Sequence, residues 1–127
     1  MGPAAVHRCF APLFFLLLLC HNAAAGTPTW CVASMTANDV VLQAGINWAC
    51  GAGGADCSPI QPGGSCAVPN TVRYHASYAF NSYYHINPTP KSCDFGGIAF
   101  LTTTDPSSPT CKYPASHRWA IFSLRIS

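Results

Sequence analysis

A chain of 127 residues fits one domain of ordinary size and cannot furnish two separate hydrophobic cores. Half of its residues are apolar, 8% are charged and the formal net charge is +2, so no basic surface able to hold nucleic-acid phosphates exists and no nucleic-acid partner is expected. The acids are Asp39, Asp56, Asp94 and Asp105, with no Glu, which leaves little material for chemistry that needs paired carboxylates.

In chain order, residues 1–25 read as a targeting leader. Arg8 and the amino terminus supply positive charge, Cys9 to Cys20 is an apolar run, and Ala23, Ala24 and Ala25 offer small residues for cleavage near Gly26. The run of about twelve residues is too short for a bilayer, which needs roughly twenty, so export without a membrane span is expected. Cleavage removes Cys9 and Cys20 and leaves Cys31, Cys50, Cys57, Cys66, Cys93 and Cys111 in an oxidising compartment, where disulfides are expected. Their pairing stays open at this level, because six cysteines can be joined in fifteen ways. No two of them lie two to four residues apart, and His75, His85 and His117 show no zinc-ligand spacing, so no metal and no cofactor is expected.

The first helix is expected over Ala37 to Ala49. Thr36 and Asp39 have capping-box spacing, and Val41, Ala44, Gly45 and Trp48 recur as one stripe, read as its core face with Trp48 inside. Trp30, beside a cysteine, is read as a lid over the core. Gly51 to Ser65 is rich in Gly and Pro and reads as a loop fixed in shape by the cysteines within and around it. Asn70 is the expected cap of a second helix over Thr71 to Ile86, with Val72, Ala76, Ala79, Phe80 and Tyr83 on its packed face and Asn87-Pro88 as its stop. Ile98 to Thr104 is β-branched and aromatic, and the turn sequence Asp105 to Pro109 suggests an antiparallel hairpin with Cys111 to Tyr113.

The strings Trp30-Cys31-Val32-Ala33, Ala55 to Cys66 (ADCSPIQPGGSC), Asn70-Thr71-Val72-Arg73, Ala76 to Tyr84 (ASYAFNSYY) and Cys93 to Gly97 (CDFGG) together resemble the plant carbohydrate-binding module family 43, or X-eight domain. That family occurs in plasmodesmata callose-binding proteins and as the C-terminal module of some endo-1,3-β-glucosidases. The resemblance runs from Trp30 to Pro114, which is taken as the domain 30–114, with 115–127 as a short tail. It implies a small, disulfide-rich α+β fold of two helices packed with a small antiparallel β-sheet. It also implies three disulfides, Cys31 to Cys93, Cys50 to Cys57 and Cys66 to Cys111. Many relatives continue into a Ser-rich spacer and an apolar tail that directs glycolipid anchoring. Residues 115–127 show neither, so a soluble product in the cell wall space, or at plasmodesmata, is expected.

The resemblance implies non-catalytic binding of β-1,3-glucan. A sugar ring has apolar faces and hydroxyl edges, so a metal-free binder needs aromatic surfaces bordered by amides, hydroxyls or carboxylates. Tyr74, Tyr78, Asn81 and His85 share one face of the second helix, opposite Val72, Ala76 and Phe80, and over about 16 Å they would offer a platform for roughly three sugar units. Stacking is assigned to Tyr74 and Tyr78 and hydroxyl contacts to Asn81, with Tyr84, Gln61 and Asp94 at the edges. The same spacing is also that of a packed helix face. Catalysis is not expected, because the four acids form no convincing pair and bridged cysteines supply no nucleophile. The alternative is a secreted wall-structural or protein-interaction module without glucan binding. A monomer is expected.

Overall fold

The computed structural model describes residues 26–117. The expected leader over 1–25 and the end of the tail lie outside the described residues. Pro28–Ser116 forms one compact unit.

Helix α1 covers Asp39–Cys50. Its cap is Asn38 rather than Thr36: the Asn38 side-chain oxygen accepts the Val41 backbone N–H at 3.1 Å, which satisfies one of the donors a helix start leaves open. The helix buries Leu42, Ile46 and Ala49. This corrects the sequence reading, which placed the stripe Val41, Ala44, Gly45 and Trp48 in the core: Val41, Ala44 and Trp48 are exposed, and only Gly45 is half-buried, against Phe80. The two apolar stripes lie one residue, or about 100°, apart on the same helix, so periodicity alone does not say which one packs. Trp48 is 48% exposed, whereas Trp30 is buried and donates its indole N–H to the Tyr113 carbonyl at 3.2 Å.

Helix α2 covers Val72–Ile86, with Thr71 as cap, one residue beyond the expected Asn70; the Thr71 hydroxyl accepts the Tyr74 N–H at 3.2 Å. It ends before Asn87-Pro88, as the restricted backbone before proline requires. Ala76, Ala79 and Phe80 are fully buried, and a buried side chain of the size of Phe80 stabilises the fold by about 1.5–3 kcal/mol. The two helices meet at Gly45, where a Cβ would stand 2.7 Å from Phe80 Cζ and 2.8 Å from Phe80 Cε1. Only the missing side chain permits that approach.

The expected hairpin between Ile98–Thr104 and Cys111–Tyr113 does not form. Strand β1 (Pro28–Ala33) instead pairs antiparallel with β2 (Ala99–Thr102), with Trp30 opposite Thr102 and Ala33 opposite Ala99. A two-residue β3 (Ser116–His117) completes the order β2-β1-β3. Side-chain oxygens take the amides that a hairpin would have paired. Asp105 Oδ1 accepts the Ser107 N–H at 2.9 Å, Ser108 Oγ accepts that of Cys111 at 3.0 Å, and Ser107 Oγ accepts that of Tyr113 at 2.9 Å. Buried residues run consecutively through Thr29, Trp30 and Cys31, so β1 lacks the alternation that marks a strand in sequence.

Three disulfides staple the unit: Cys31–Cys93 ties β1 to the short 3₁₀ turn Pro90–Cys93, Cys50–Cys57 closes the start of the loop after α1, and Cys66–Cys111 ties a later part of the same α1–α2 connection to the C-terminal segment. These are the pairings the family resemblance implies. The fold is a small disulfide-rich α+β unit, with α2 packed between α1 and the sheet.

Candidate functional site

The face of α2 read as a sugar platform is a packing face. Tyr84 is fully buried. Its hydroxyl lies 2.8 Å from Thr29 Oγ1, which itself donates to the Ser116 carbonyl at 3.1 Å, so Tyr84 is the donor to Thr29. Asn81 is also fully buried: its Oδ1 accepts the Cys31 N–H at 2.9 Å and its Nδ2 donates to the Pro114 carbonyl at 2.8 Å, which spends the amide on holding β1 and the C-terminal segment together. Tyr78 is 7% exposed and packs edge-on against Tyr113 at 5.2 Å. Burial, with a smaller contribution from the charge of Asp56, holds the Tyr78 phenol above its usual range. Tyr78, Asn81 and Tyr84 are therefore corrected from ligand contacts to core residues: β1 and residues 113–116 cover the side of α2 that the platform needed open. Tyr74 is half-buried. Gln61 is exposed, with its amide donating to the Cys57 carbonyl at 3.2 Å, and His85 Nδ1 lies 3.1 Å from Ser116 Oγ.

An open aromatic groove lies instead between α1, the last turn of α2 and the chain that follows. It measures about 560 Å³, within the range of small-ligand sites. From α1 come Val41, Ala44, Gly45 and Trp48, the same stripe that the sequence reading took for core. α2 adds Tyr83, the Pro90–Cys93 turn adds Lys91 and Ser92, and the segment between that turn and β2 adds Phe95, Gly96 and Ile98. Three rings meet edge to face: Trp48 and Tyr83 at 5.0 Å, Tyr83 and Phe95 at 5.5 Å, Trp48 and Phe95 at 6.1 Å. Behind them Phe80 stacks on Phe95 at 4.2 Å. Such pairs add about 0.5–1.5 kcal/mol each beyond area burial, so the rings are held in place before any ligand arrives.

The backbone supports this arrangement on both sides. Behind Trp48, the Gly53 N–H donates to the Trp48 carbonyl at 2.8 Å, and a Cβ at Gly53 would stand 3.0 Å from the Trp48 ring. The Cys50–Cys57 bridge fixes that loop. Opposite, Phe95 adopts φ 47°, a left-handed conformation that is rare for a bulky residue and costs on the order of 1–3 kcal/mol. The turn is held by the Gly97 N–H on the Asp94 carbonyl at 2.7 Å and, two residues earlier, by the Cys31–Cys93 bridge. Strain retained at an aromatic side chain that lines an open groove points to a functional position. Of the edge residues named from the sequence, Asp94 is exposed and directly precedes Phe95, whereas Tyr84, next to Tyr83 in the chain, is fully buried.

The lining contains no carboxylate. Its polar groups are the Lys91 ammonium, the Tyr83 phenol and Ser92, whose hydroxyl pairs with Thr89 Oγ1 at 3.0 Å. Apolar walls with a few polar groups suit a neutral ligand with flat apolar faces, and the lining holds no carboxylate pair of the kind glycoside hydrolysis ordinarily uses. Sequence reasoning missed Trp48, Tyr83 and Phe95 as a group. The available signal was that α1 carries more apolar surface than one packed face needs, with two small residues, Ala44 and Gly45, in the surplus stripe.

Comparison with known proteins agrees with this architecture. The X8 domain family model matches residues 29–100. Glucan endo-1,3-beta-glucosidase 1 of Arabidopsis thaliana is 50% identical over 91 residues, 71% of this chain but 18% of that protein. Plasmodesmata callose-binding protein 5 of Arabidopsis thaliana is 52% identical over 88 residues, 68% of this chain and 49% of the relative. Major pollen allergen Ole e 10 of Olea europaea is 45% identical over 89 residues, 69% of this chain and 72% of the relative. The chain thus spans about half or less of the length of the first two relatives, and the match to the glucosidase is confined to a small part of it. With more than half of its length matched by the family model and the implied bridges in place, the chain belongs to the X8 domain family.

Proposed function

We propose that this domain binds β-1,3-glucan without cleaving it, and that the sugar lies in the Trp48–Tyr83–Phe95 groove rather than on the outer face of α2. The observation that carries this reading is a half-exposed tryptophan braced edge-on by two further rings in an open groove without carboxylates. Trp48 stacks on a glucose face, while Tyr83, Ser92 and Lys91 meet hydroxyls at its edge, with Asp94 as a flanking acceptor. The names of the relatives favour callose as the natural form of the polymer, and a plant cell wall or plasmodesmal setting is proposed on the same ground. Among the described residues no helix is long and apolar enough to cross a membrane.

The test is a pull-down on insoluble β-1,3-glucan against cellulose, with wild type, Trp48→Ala and reduced protein, followed by a reducing-sugar assay on laminarin. Retention of wild type on β-1,3-glucan alone, lost in Trp48→Ala with its circular dichroism unchanged, is expected, with no release of reducing ends. Equal retention of Trp48→Ala refutes the groove. Absence of wild-type retention refutes glucan binding and favours the protein-interaction alternative.

A further inference from the structure

The aromatic groove is not the only depression on α1. A second, of about 420 Å³, lies on the adjoining flank, lined by Asp39, Val40, Gln43, Ala44, Asn47 and Val72. Ala44 lines both depressions. It is exposed, and its side chain is one methyl group, so the ridge between the two is low enough for an extended chain to cross.

The second depression has the chemistry of a polyol site. Gln43 Nε2 donates to Asn47 Oδ1 at 2.9 Å, a pairing of residues one helical turn apart. That bond holds both amides in place and leaves Gln43 Oε1 as an acceptor and the Asn47 NH₂ as a donor for a ligand. A sugar hydroxyl both donates and accepts, so an adjacent donor and acceptor fit it, and side chains already ordered lose less freedom on binding. Val40 and Val72 supply apolar surface beside the amides. The one ionised group in the lining is Asp39, which disfavours an anionic polymer and leaves a neutral one as the occupant.

We infer that a linear β-1,3-glucan continues from the aromatic groove across Ala44 onto Gln43 and Asn47, which form a second subsite and set a preference for longer chains. This rests on the glucan reading of the groove. Calorimetric titration of laminaritriose and laminariheptaose into wild type, Gln43→Ala/Asn47→Ala and Ala44→Phe tests it. All three positions are exposed on α1, so the fold is retained, with circular dichroism as the check.

Wild type is expected to bind the heptaose about tenfold more tightly than the triose, a difference of the size that one or two amide–hydroxyl bonds give. The double variant loses that advantage while its triose affinity is unchanged, and Ala44→Phe, which raises the ridge between groove and subsite, removes the advantage as well. An unchanged heptaose affinity in the double variant, an equal loss on both sugars, or equal wild-type affinities for the two lengths each overturn the second subsite and leave the groove standing. Failure of wild type to bind either sugar removes the glucan reading itself, and the extension with it.

Discussion

Replacement of Gly45 by Ala opposes helix propensity to packing. In an exposed helix interior the change stabilises by about 1 kcal/mol, because glycine gives up more backbone freedom than alanine. Here the new Cβ would stand 2.7 Å from Phe80 Cζ and 3.2 Å from Ile98 Cδ1, well inside contact distance. Phe80 is fully buried and has Phe95 stacked behind it at 4.2 Å, so its ring has no free space into which to retreat. Overpacking of this kind costs about 1–3 kcal/mol, and the confinement of Phe80 puts the cost near the top of that range. The net expectation is a loss of about 1–2 kcal/mol, read as a fall in Tm of at least about 4 °C for a domain of this size. Urea and thermal unfolding of oxidised protein, monitored by circular dichroism, measure it. In a Phe80→Leu background, which relieves the clash, the Gly45→Ala penalty should shrink by about 1 kcal/mol. A Gly45→Ala variant more stable than wild type would refute the claim that α1 and α2 meet through this position.

Asn81→Ala leaves the Cys31 N–H and the Pro114 carbonyl without their partner in the interior, and should cost about 2–4 kcal/mol by urea unfolding; a cost below about 0.5 kcal/mol would return Asn81 to the surface. Bridge removal by paired Cys→Ala substitution should rank by loop size. Chain entropy gives about 4 kcal/mol each for Cys31–Cys93 and Cys66–Cys111, which span 62 and 45 residues, and about 2.5 kcal/mol for Cys50–Cys57, which spans 7; unfolding midpoints that put the short bridge first would contradict the ranking. Burial holds the phenols of both Tyr78 and Tyr113 above the ordinary range, and the neighbouring Tyr74 and Tyr78 add to the effect at Tyr113. Below pH about 10 neither state ionises and their contribution to stability is complete, whereas above it the unfolded chain ionises first and stability falls as pH rises. In a brief alkaline titration followed by tyrosinate absorbance and circular dichroism, Tyr78→Phe and Tyr113→Phe should each remove amplitude from the step that coincides with unfolding. Loss of amplitude from an earlier step, with structure intact, would refute their burial.

The local signals in this chain are strong where backbone chemistry dominates. Asn87-Pro88 ends α2 because the residue before proline leaves the helical region, and the Asp105 turn forms because its carboxylate accepts an amide two residues on, irrespective of what lies nearby. Literal strings around the cysteines identified the family and, through it, the bridges and the fold class, which six cysteines alone leave open.

What the sequence left undecided were choices between equivalent faces. α1 carries two apolar stripes about 100° apart, and the approach of α2, allowed only at Gly45, buries Leu42 and Ile46 and leaves Trp48 to the groove. On α2, Tyr78, Asn81 and Tyr84 have residue types that suit a sugar platform, but β1 and the C-terminal segment close over them. β1 itself was hidden because its pairing with β2 joins residues about seventy positions apart, beyond any local pattern. Residue chemistry supplied the materials of a sugar site, and long-range packing decided which aromatic rings remain open to solvent.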